Sequence, residues 1–272
     1  MRHIRLLSLA LCAVVLGAVP GADMARADEF DSGLRAELRP GWRLADGSHM
    51  AALHLTLAPG WKTYWRAPGD AGIPPLFNWS GSQNAASVGV VWPTPKVFHQ
   101  AGMRSVGYAD EVVLPLRIAA RQGGDIRLRG EMQLGVCKDI CLPETLRFDA
   151  VLPAGTTRPD PVIAAAMAEV PFSESEARVG TVRCSIGAGG EGLTLRAEID
   201  MPTTGGAEET VVETANPLLW VAEPKTRREG GKLVTETRME HVEGRAFALD
   251  RSAVRITVLG GKHAVDIQGC DG

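Results

Sequence analysis

Short runs in which apolar and polar residues alternate recur along most of the chain, and they constrain its fold more than any other feature. The run at residues 53–57 reads LHLTL, and those at 126–134 and 146–152 read IRLRGEMQL and LRFDAVL. A period of two places every second side chain on one face, as in a half-buried β-strand. These runs predict a β-sandwich in the first half of the chain.

The second half of the chain has the same pattern. Its runs are LTLRAEID, KLVTETRM, RAFALD and AVRITVLGG, with turn-forming residues between them. Short strands at this spacing suggest a second sandwich. In the first half, the run EVVLPLRI contains Pro115, which predicts an edge strand or a bulge because proline has no N–H for a β-ladder.

One helix is predicted between the two strand-rich halves. Asp160 is a suitable N-cap, Pro161 suits the first turn, and Pro171 ends the alanine-rich run that follows. The sequence therefore predicts an all-β protein of two sandwich domains joined by a short helical connector. The predicted boundaries are 28–155 for the first domain, 156–175 for the connector and 176–272 for the second domain.

The N-terminus is typical of a secretory signal peptide. Basic residues precede the apolar run LLSLALCAVVLGAV, and small residues follow it, which predicts residues 1–27 as the signal peptide with a cut after Ala27. The run is too short for a membrane span, and no later segment is longer, so we expect no membrane span in the mature chain. The formal net charge of −3 does not favour binding to nucleic acid or anionic lipid.

Four cysteines follow the predicted signal peptide, namely Cys137, Cys141, Cys184 and Cys270. Three pairings are open to them. In an extended strand four residues span about 13 Å, whereas a disulfide needs Cα atoms within about 7 Å. Cys137 and Cys141 can therefore bond only across a turn, for which Lys138, Asp139 and Ile140 supply a three-residue connection.

Loop size distinguishes the two most plausible bridges. Chain entropy gives a loop of about five residues roughly 2 kcal/mol of stabilisation, against roughly 4.5 kcal/mol for about 85 residues. We expect Cys184 and Cys270 to form a structural bridge that pins the C-terminus. Cys137 and Cys141 stay open to three interpretations: a redox-active pair, a small structural bridge, or a metal site, where two thiolates would suit copper(I). The absence of a zinc-knuckle spacing disfavours metal, and no metal ligand is assigned.

Three stretches resemble a known family, the N-terminal periplasmic domain of DsbD-type thiol:disulfide interchange proteins, and most of all its ScsB-like copper-sensitivity suppressor branch. They are GWKTYWRAPGDAGIPPLFNWSGSQN at 60–84, VWPTPKVFHQAGMRSVGYADEVVLPLRI at 91–118 and GVCKDICLPE at 135–144. Together they cover most of the first half. The second half resembles the family only in position and in its strand-rich character.

The resemblance implies an immunoglobulin-like sandwich with Cys137 and Cys141 as the catalytic pair, Cys141 being the sulfur that is attacked. It implies periplasmic thiol-disulfide exchange of the protein-disulfide reductase kind, without a cofactor, between a thioredoxin-like donor and periplasmic disulfide proteins. It further implies that Phe98 caps the cysteines and that Tyr64 and Trp61 line the site. The residues themselves also allow tryptophans such as Trp61 to be core residues, and they place Phe98 in a loop after two prolines.

A second function is compatible with the same sequence. Two rigid sandwiches with purely structural disulfides would form a non-catalytic binding module of the cell envelope that docks an envelope protein or a copper chaperone. The reduction potential of the close cysteine pair distinguishes this hypothesis from thiol exchange.

Overall fold

The structure is a computed structural model that describes residues 33–190 and 192–272. The predicted signal peptide and its cut after Ala27 lie outside these residues. Within the described ranges, no helix is both long enough and apolar enough to cross a membrane.

The first half folds into two antiparallel sheets, whose strands arise largely from the alternating runs. Its ten strands are β1 (Arg35–Arg43), β2 (His49–Thr56), β3 (Lys62–Tyr64), β4 (Leu76–Asn78), β5 (Ala85–Val90), β6 (Lys96–Gln100), β7 (Met103–Ala109), β8 (Glu111–Ala120), β9 (Ile126–Cys137) and β10 (Cys141–Leu152). One sheet has the order β1-β2-β8-β5, and the other has the order β10-β9-β3-β7-β6, with β4 also paired to β9.

The second half also contains two sheets. Its strands are β11 (Phe172–Ser173), β12 (Val182–Gly189), β13 (Gly192–Asp200), β14 (Glu209–Glu213), β15 (Leu219–Val221), β16 (Lys225–Glu229), β17 (Lys232–His241), β18 (Arg255–Leu259) and β19 (Ala264–Gln268). The sheet orders are β11-β19-β18-β14 and β12-β13-β17-β15, with β16 also paired to β17. The fold is all-β and immunoglobulin-like, as predicted.

The alternating residues form the cores. In the first half, Leu53 and Leu55 of β2 and Leu128 of β9 are fully buried between the two sheets. Burying a leucine side chain stabilises the fold by about 1.5–3 kcal/mol. This core therefore holds β9, the strand that ends at Cys137, firmly in its sheet. Leu259 and Ala264 of the second half pack against the same core, so the halves share apolar contact. The domain boundaries at 155 and 175 stay predictions.

The predicted helix forms as α1 (Pro161–Ala168), with Asp160 as its N-cap. It does not merely connect the halves, because Ile163 packs on Trp42, Met50 and Ala52 in a small separate apolar cluster. The helix therefore covers the outer face of the first sheet. This explains why β2 is buried on both faces although its sequence alternates.

Two local predictions are wrong. Pro115 lies in β8, which is a central strand between β2 and β5 rather than an edge, and the register of β8 with β2 continues through Pro115 without a bulge. Its carbonyl accepts from Val91 N–H, just beyond the last residue of β5, so the missing N–H falls where that ladder has ended. The run RAFALD at 245–250 forms no strand; Phe247 and Leu249 instead pack on the second core from an irregular segment.

Candidate functional site

Cys137 and Cys141 form a disulfide across a strand turn. Cys137 ends β9, Cys141 begins β10, and the two lie directly opposite each other in the antiparallel register. Their Cα atoms are 4.1 Å apart, and Lys138 N–H donates to Ile140 O inside the three-residue connection. The pair thus has the turn that its spacing required.

The register places this disulfide on the outer face of the second sheet. Lys62 of β3 pairs with Cys137, so the two side chains share a face, and Tyr64 shares it because it lies two residues further along β3. On the other face, Thr63 pairs with Val136, which is fully buried in the core. The core therefore supports the strands from behind while the disulfide faces away from it.

Tyr64 is the aromatic residue that contacts the sulfurs. Its hydroxyl lies 3.0 Å from Cys137 Sγ, 3.7 Å from Cys141 Sγ and 3.2 Å from Ala71 O. The side chain is only 3% exposed, and burial raises the pKa of Tyr64, so its hydroxyl keeps its proton at neutral pH. Tyr64 is therefore a fixed hydrogen-bond donor beside the disulfide.

Glycines make room for this tyrosine. A Cβ added at Gly135 would lie 2.9 Å from Ile73 Cβ and 3.2 Å from Tyr64 Cε2. A Cβ added at Gly107 would lie 2.0 Å from Thr63 O. These two strand glycines allow close approach of the neighbouring groups, a role that glycine in a strand interior often has. The alternation pattern did not single them out.

The two sulfurs differ in access. Cys137 is 2% exposed, whereas Cys141 is exposed to solvent. Of the two residues, Cys141 is therefore the more accessible from solvent, and the Tyr64 hydroxyl lies next to the less accessible Cys137.

Lys62 is a site residue that the sequence analysis did not identify. Its ammonium group donates to Gln100 Oε1 at 3.1 Å and to Ser105 Oγ at 3.2 Å, and it lies 5.3 Å from the ring centroid of Phe98. Burial lowers the pKa of Lys62. Its position two residues before Tyr64 was the available signal, since alternate residues of a strand share a face.

Phe98 does not lie in a loop, which corrects the sequence prediction. It belongs to β6, which forms a hairpin with β7 through a two-residue turn at Ala101 and Gly102, both with positive φ (52° and 76°). Positive φ at both positions is the geometry of a type I′ turn, which suits tight hairpins.

The β6–β7 hairpin reaches the turn between the cysteines. Gln100 Nε2 donates to Lys138 O at 3.4 Å, and Phe98 lies on the same face of β6 as Gln100. Phe98 is half-buried and its ring faces the Lys62 ammonium. The structure therefore brings Phe98, Lys62, Tyr64 and the disulfide to one face of one sheet. Trp61, the other aromatic expected at the site, is 9% exposed and packs in the first core.

The other two cysteines are bonded in the second half. Cys184 on β12 and Cys270 after β19 have Cα atoms 5.7 Å apart. Cys184 N–H also donates to Asp271 O, so the C-terminal residues are held on β12 by a disulfide and by backbone hydrogen bonds. In the described part of the chain, no group of three or more His, Cys, Asp or Glu side chains is arranged to hold a metal ion.

Comparison with known proteins relates the first half to a family and the whole chain to a fold. Residues 34–153 match the family model described as "Thiol:disulfide interchange protein DsbD, N-terminal". No curated protein sequence matches the chain. The crystal structure of the N-terminal periplasmic domain of ScsB from Proteus mirabilis is similar, with a TM-score of 0.66 and 23% identity over 88% of this chain and 93% of that one. At this identity the likeness concerns the fold, whereas the family match covers both cysteines of the exposed turn. Residues 34–153 of this chain thus belong to the family of DsbD N-terminal domains.

Proposed function

We propose that the protein is a periplasmic thiol-disulfide interchange module that relays reducing equivalents through Cys137 and Cys141. The donor is a thioredoxin-like protein or domain, and the acceptors are disulfide-bonded proteins of the cell envelope. The observation that carries the proposal is the asymmetry of the disulfide, in which Cys141 is exposed while Cys137 is buried against a hydroxyl donor.

Reduction of the module then proceeds by two exchanges. A donor thiolate attacks Cys141 Sγ, a mixed disulfide forms, and the Cys137–Cys141 bond breaks with Cys137 leaving as a thiolate. Tyr64 donates a hydrogen bond to that thiolate, and Lys62, directly opposite Cys137 in the sheet, adds a positive charge. The second donor thiolate attacks the donor's own sulfur in the mixed disulfide and releases Cys141. Two electrons and two protons pass to the module, and the donor becomes a disulfide.

The module passes these electrons on by the reverse chemistry. Its Cys141 thiolate attacks an acceptor disulfide, and Cys137 resolves the mixed disulfide, which reforms the Cys137–Cys141 bond and leaves the acceptor as a dithiol. Phe98 and the β6–β7 hairpin act as a cap, because Phe98 lies on the face that carries the disulfide and Gln100 contacts the turn between the cysteines. Such a cap protects the disulfide from stray thiols. Only a partner that can displace the cap reaches the sulfur atoms.

Selective reduction tests the proposal. The oxidised protein is mixed with reduced thioredoxin at increasing thiol concentration, free thiols are alkylated, and mass spectrometry reports each disulfide separately. We expect Cys137–Cys141 to open well before Cys184–Cys270. If the two open together, or if the close pair has a potential below about −300 mV as structural disulfides do, the exchange function is wrong and a binding module with structural disulfides is supported.

Single-cysteine variants test the order of attack. Cys137→Ser leaves the exposed Cys141 and should accumulate a mixed disulfide with thioredoxin lacking its resolving cysteine. Cys141→Ser leaves the buried Cys137 and serves as the matched control that should trap far less. Equal trapping by the two variants would contradict the assignment of Cys141 as the attacked sulfur.

A further inference from the structure

The β6–β7 hairpin has two faces with different neighbours. Phe98 pairs with Ser105 on the face directed to Lys62, whereas the next pair, His99 and Arg104, points to the opposite face. His99 and Arg104 both bind Glu209, the first residue of β14 in the second half. The hairpin is therefore held between the disulfide face of the first half and a carboxylate of the second half.

The contact with Glu209 is well organised. Arg104 Nε donates to one carboxylate oxygen at 2.6 Å, and His99 Nε2 lies 3.1 Å from the other. The Arg104 side chain is only 6% exposed, and its Nη2 donates to Thr210 O. Because the arginine is buried with all its partners on β14, the hairpin cannot move away from β14 without leaving a buried charge unpaired.

From this arrangement, we propose that Glu209 is a positioning residue for the cap: by binding His99 and Arg104 it holds the β6–β7 hairpin closed over Cys137–Cys141, so the second half sets how readily the cap opens. This inference rests on the proposed function, in which Phe98 shields the disulfide. It also assigns a role to the second half of the chain, whose described residues contribute none to the cysteine site.

The chain offers a matched control on the same strand. Glu213 is the last residue of β14 and binds Arg66 of the first half through two hydrogen bonds of 3.0 and 2.9 Å. Its pair is similarly buried, with side-chain exposures of 15% and 21% against 6% and 31% for Arg104 and Glu209. Arg66 is not on the hairpin, so Glu213→Gln weakens the contact between the halves without releasing the cap.

The experiment measures the rate at which dithiothreitol reduces Cys137–Cys141 in the full mature chain, by alkylation and mass spectrometry. We expect Glu209→Gln to raise this rate about fivefold, because the neutral amide weakens the contacts with both Arg104 and His99. Glu213→Gln should react like the wild type. The reduction potential of the pair should be the same in all three proteins, because Glu209 contacts neither sulfur nor the groups that donate to them.

A double variant separates positioning from general loosening. Phe98→Ala should also raise the rate, and adding Glu209→Gln to Phe98→Ala should raise it no further, because the hairpin then has no aromatic cap to hold. If Glu209→Gln and Glu213→Gln accelerate reduction equally, or if the two substitutions act additively, Glu209 does not position the cap.

The outcomes also separate this inference from the proposed function. If Phe98→Ala accelerates reduction but Glu209→Gln does not, the cap stands and the role of Glu209 is wrong. If Phe98→Ala has no effect in a folded protein, the cap is wrong and the inference fails with it. Failure of thioredoxin to reduce the pair selectively, in the separate titration, would contradict the exchange function itself.

Discussion

Cys137 and Cys141 differ in their surroundings although only three residues separate them. Cys137 is buried opposite Lys62 and accepts a hydrogen bond from Tyr64, while Cys141 is exposed on the next strand. Lys62 lies directly opposite Cys137 on the same face of the sheet, and its ammonium group donates to Gln100 and Ser105. The Tyr64 hydroxyl favours a thiolate on Cys137 once the pair is reduced, whereas the burial of Cys137 opposes it, so the contribution of the Lys62 charge has to be measured by substitution.

Lys62→Met tests this effect at the residue scale. Removing the cation should raise the pKa of the Cys137 thiol in the reduced protein by roughly one unit, because a nearby positive charge favours the thiolate. Ultraviolet absorbance of the thiolate as a function of pH measures it. Lys62→Arg keeps the charge and is the control that should stay close to the wild type. An unchanged pKa in Lys62→Met would mean that Lys62 acts only by holding Phe98, Gln100 and Ser105.

Some elements are held in position by side chains that contact two neighbouring elements at once. In the β6–β7 hairpin, one face contacts the disulfide turn and the other contacts β14. Asp160 works in a similar way at the start of α1. Its Oδ1 accepts from Val162 and Ile163 N–H, and its Oδ2 accepts from Arg39 of β1, so one carboxylate both caps the helix and anchors it to the first sheet.

Asp160→Ala is the prediction at the element scale. Loss of an N-cap costs about 1 kcal/mol of unfolding free energy, and loss of the Arg39 pair adds to that. Burial alone would raise the pKa of Asp160, but the hydrogen bonds from Arg39, Val162 and Ile163 outweigh it and lower the pKa. A lowered pKa stabilises the fold above the unfolded value of about 3.9, and this contribution is lost as pH falls through the folded pKa.

Urea unfolding at several pH values measures this prediction. The difference in unfolding free energy between the wild type and Asp160→Ala should be full near neutral pH and should shrink below about pH 4. Asp160→Asn keeps the capping oxygen without the charge, so it should lose only the part that depends on Arg39. A pH-independent difference for Asp160→Ala would contradict a contribution from the ionised carboxylate.

At the scale of the whole molecule, the two disulfides have different tasks. Cys137–Cys141 closes a turn on one face of the first half, while Cys184–Cys270 joins residues 86 positions apart within the second half. The longer loop removes more chain entropy from the unfolded state, so it stabilises more. The halves meet through apolar contacts and through ion pairs on β14, and neither route includes Cys184 or Cys270.

Cys184→Ser and Cys270→Ser should therefore each lower the unfolding free energy, by roughly 2–5 kcal/mol, and leave thiol exchange at Cys137–Cys141 intact in the folded protein. Chemical unfolding and the rate of reduction by thioredoxin, measured on the same samples below the unfolding transition, test both statements. Loss of exchange in folded Cys270→Ser would mean that the C-terminal cysteines belong to the electron route.

The sequence by itself determined the properties that depend on neighbours along the chain. Alternation predicted most strands, Asp160 and Pro161 predicted the start of α1, and the reach of an extended chain required a turn between Cys137 and Cys141. The same local reasoning placed Phe98 in a loop and Pro115 at an edge or a bulge, because prolines disrupt local patterns whatever the neighbouring strands do. It also predicted a strand at RAFALD. Alternation indicates that one side of a segment is buried, and it does not require the backbone to pair with another strand.

Only the tertiary structure decided which face of which sheet carries the site. The register between β3 and β9 sets Lys62 opposite Cys137, and no local pattern encodes the pairing of strands that are this distant in sequence. Gln100 meets Lys138 across 38 positions, and Arg104 meets Glu209 across 105. Such contacts depend on how two sheets and two halves pack, which is a property of the whole core. For this reason the sequence could name the cysteines that we propose to react, whereas Lys62 opposite Cys137 and Glu209 bound to the β6–β7 hairpin emerged only from the fold.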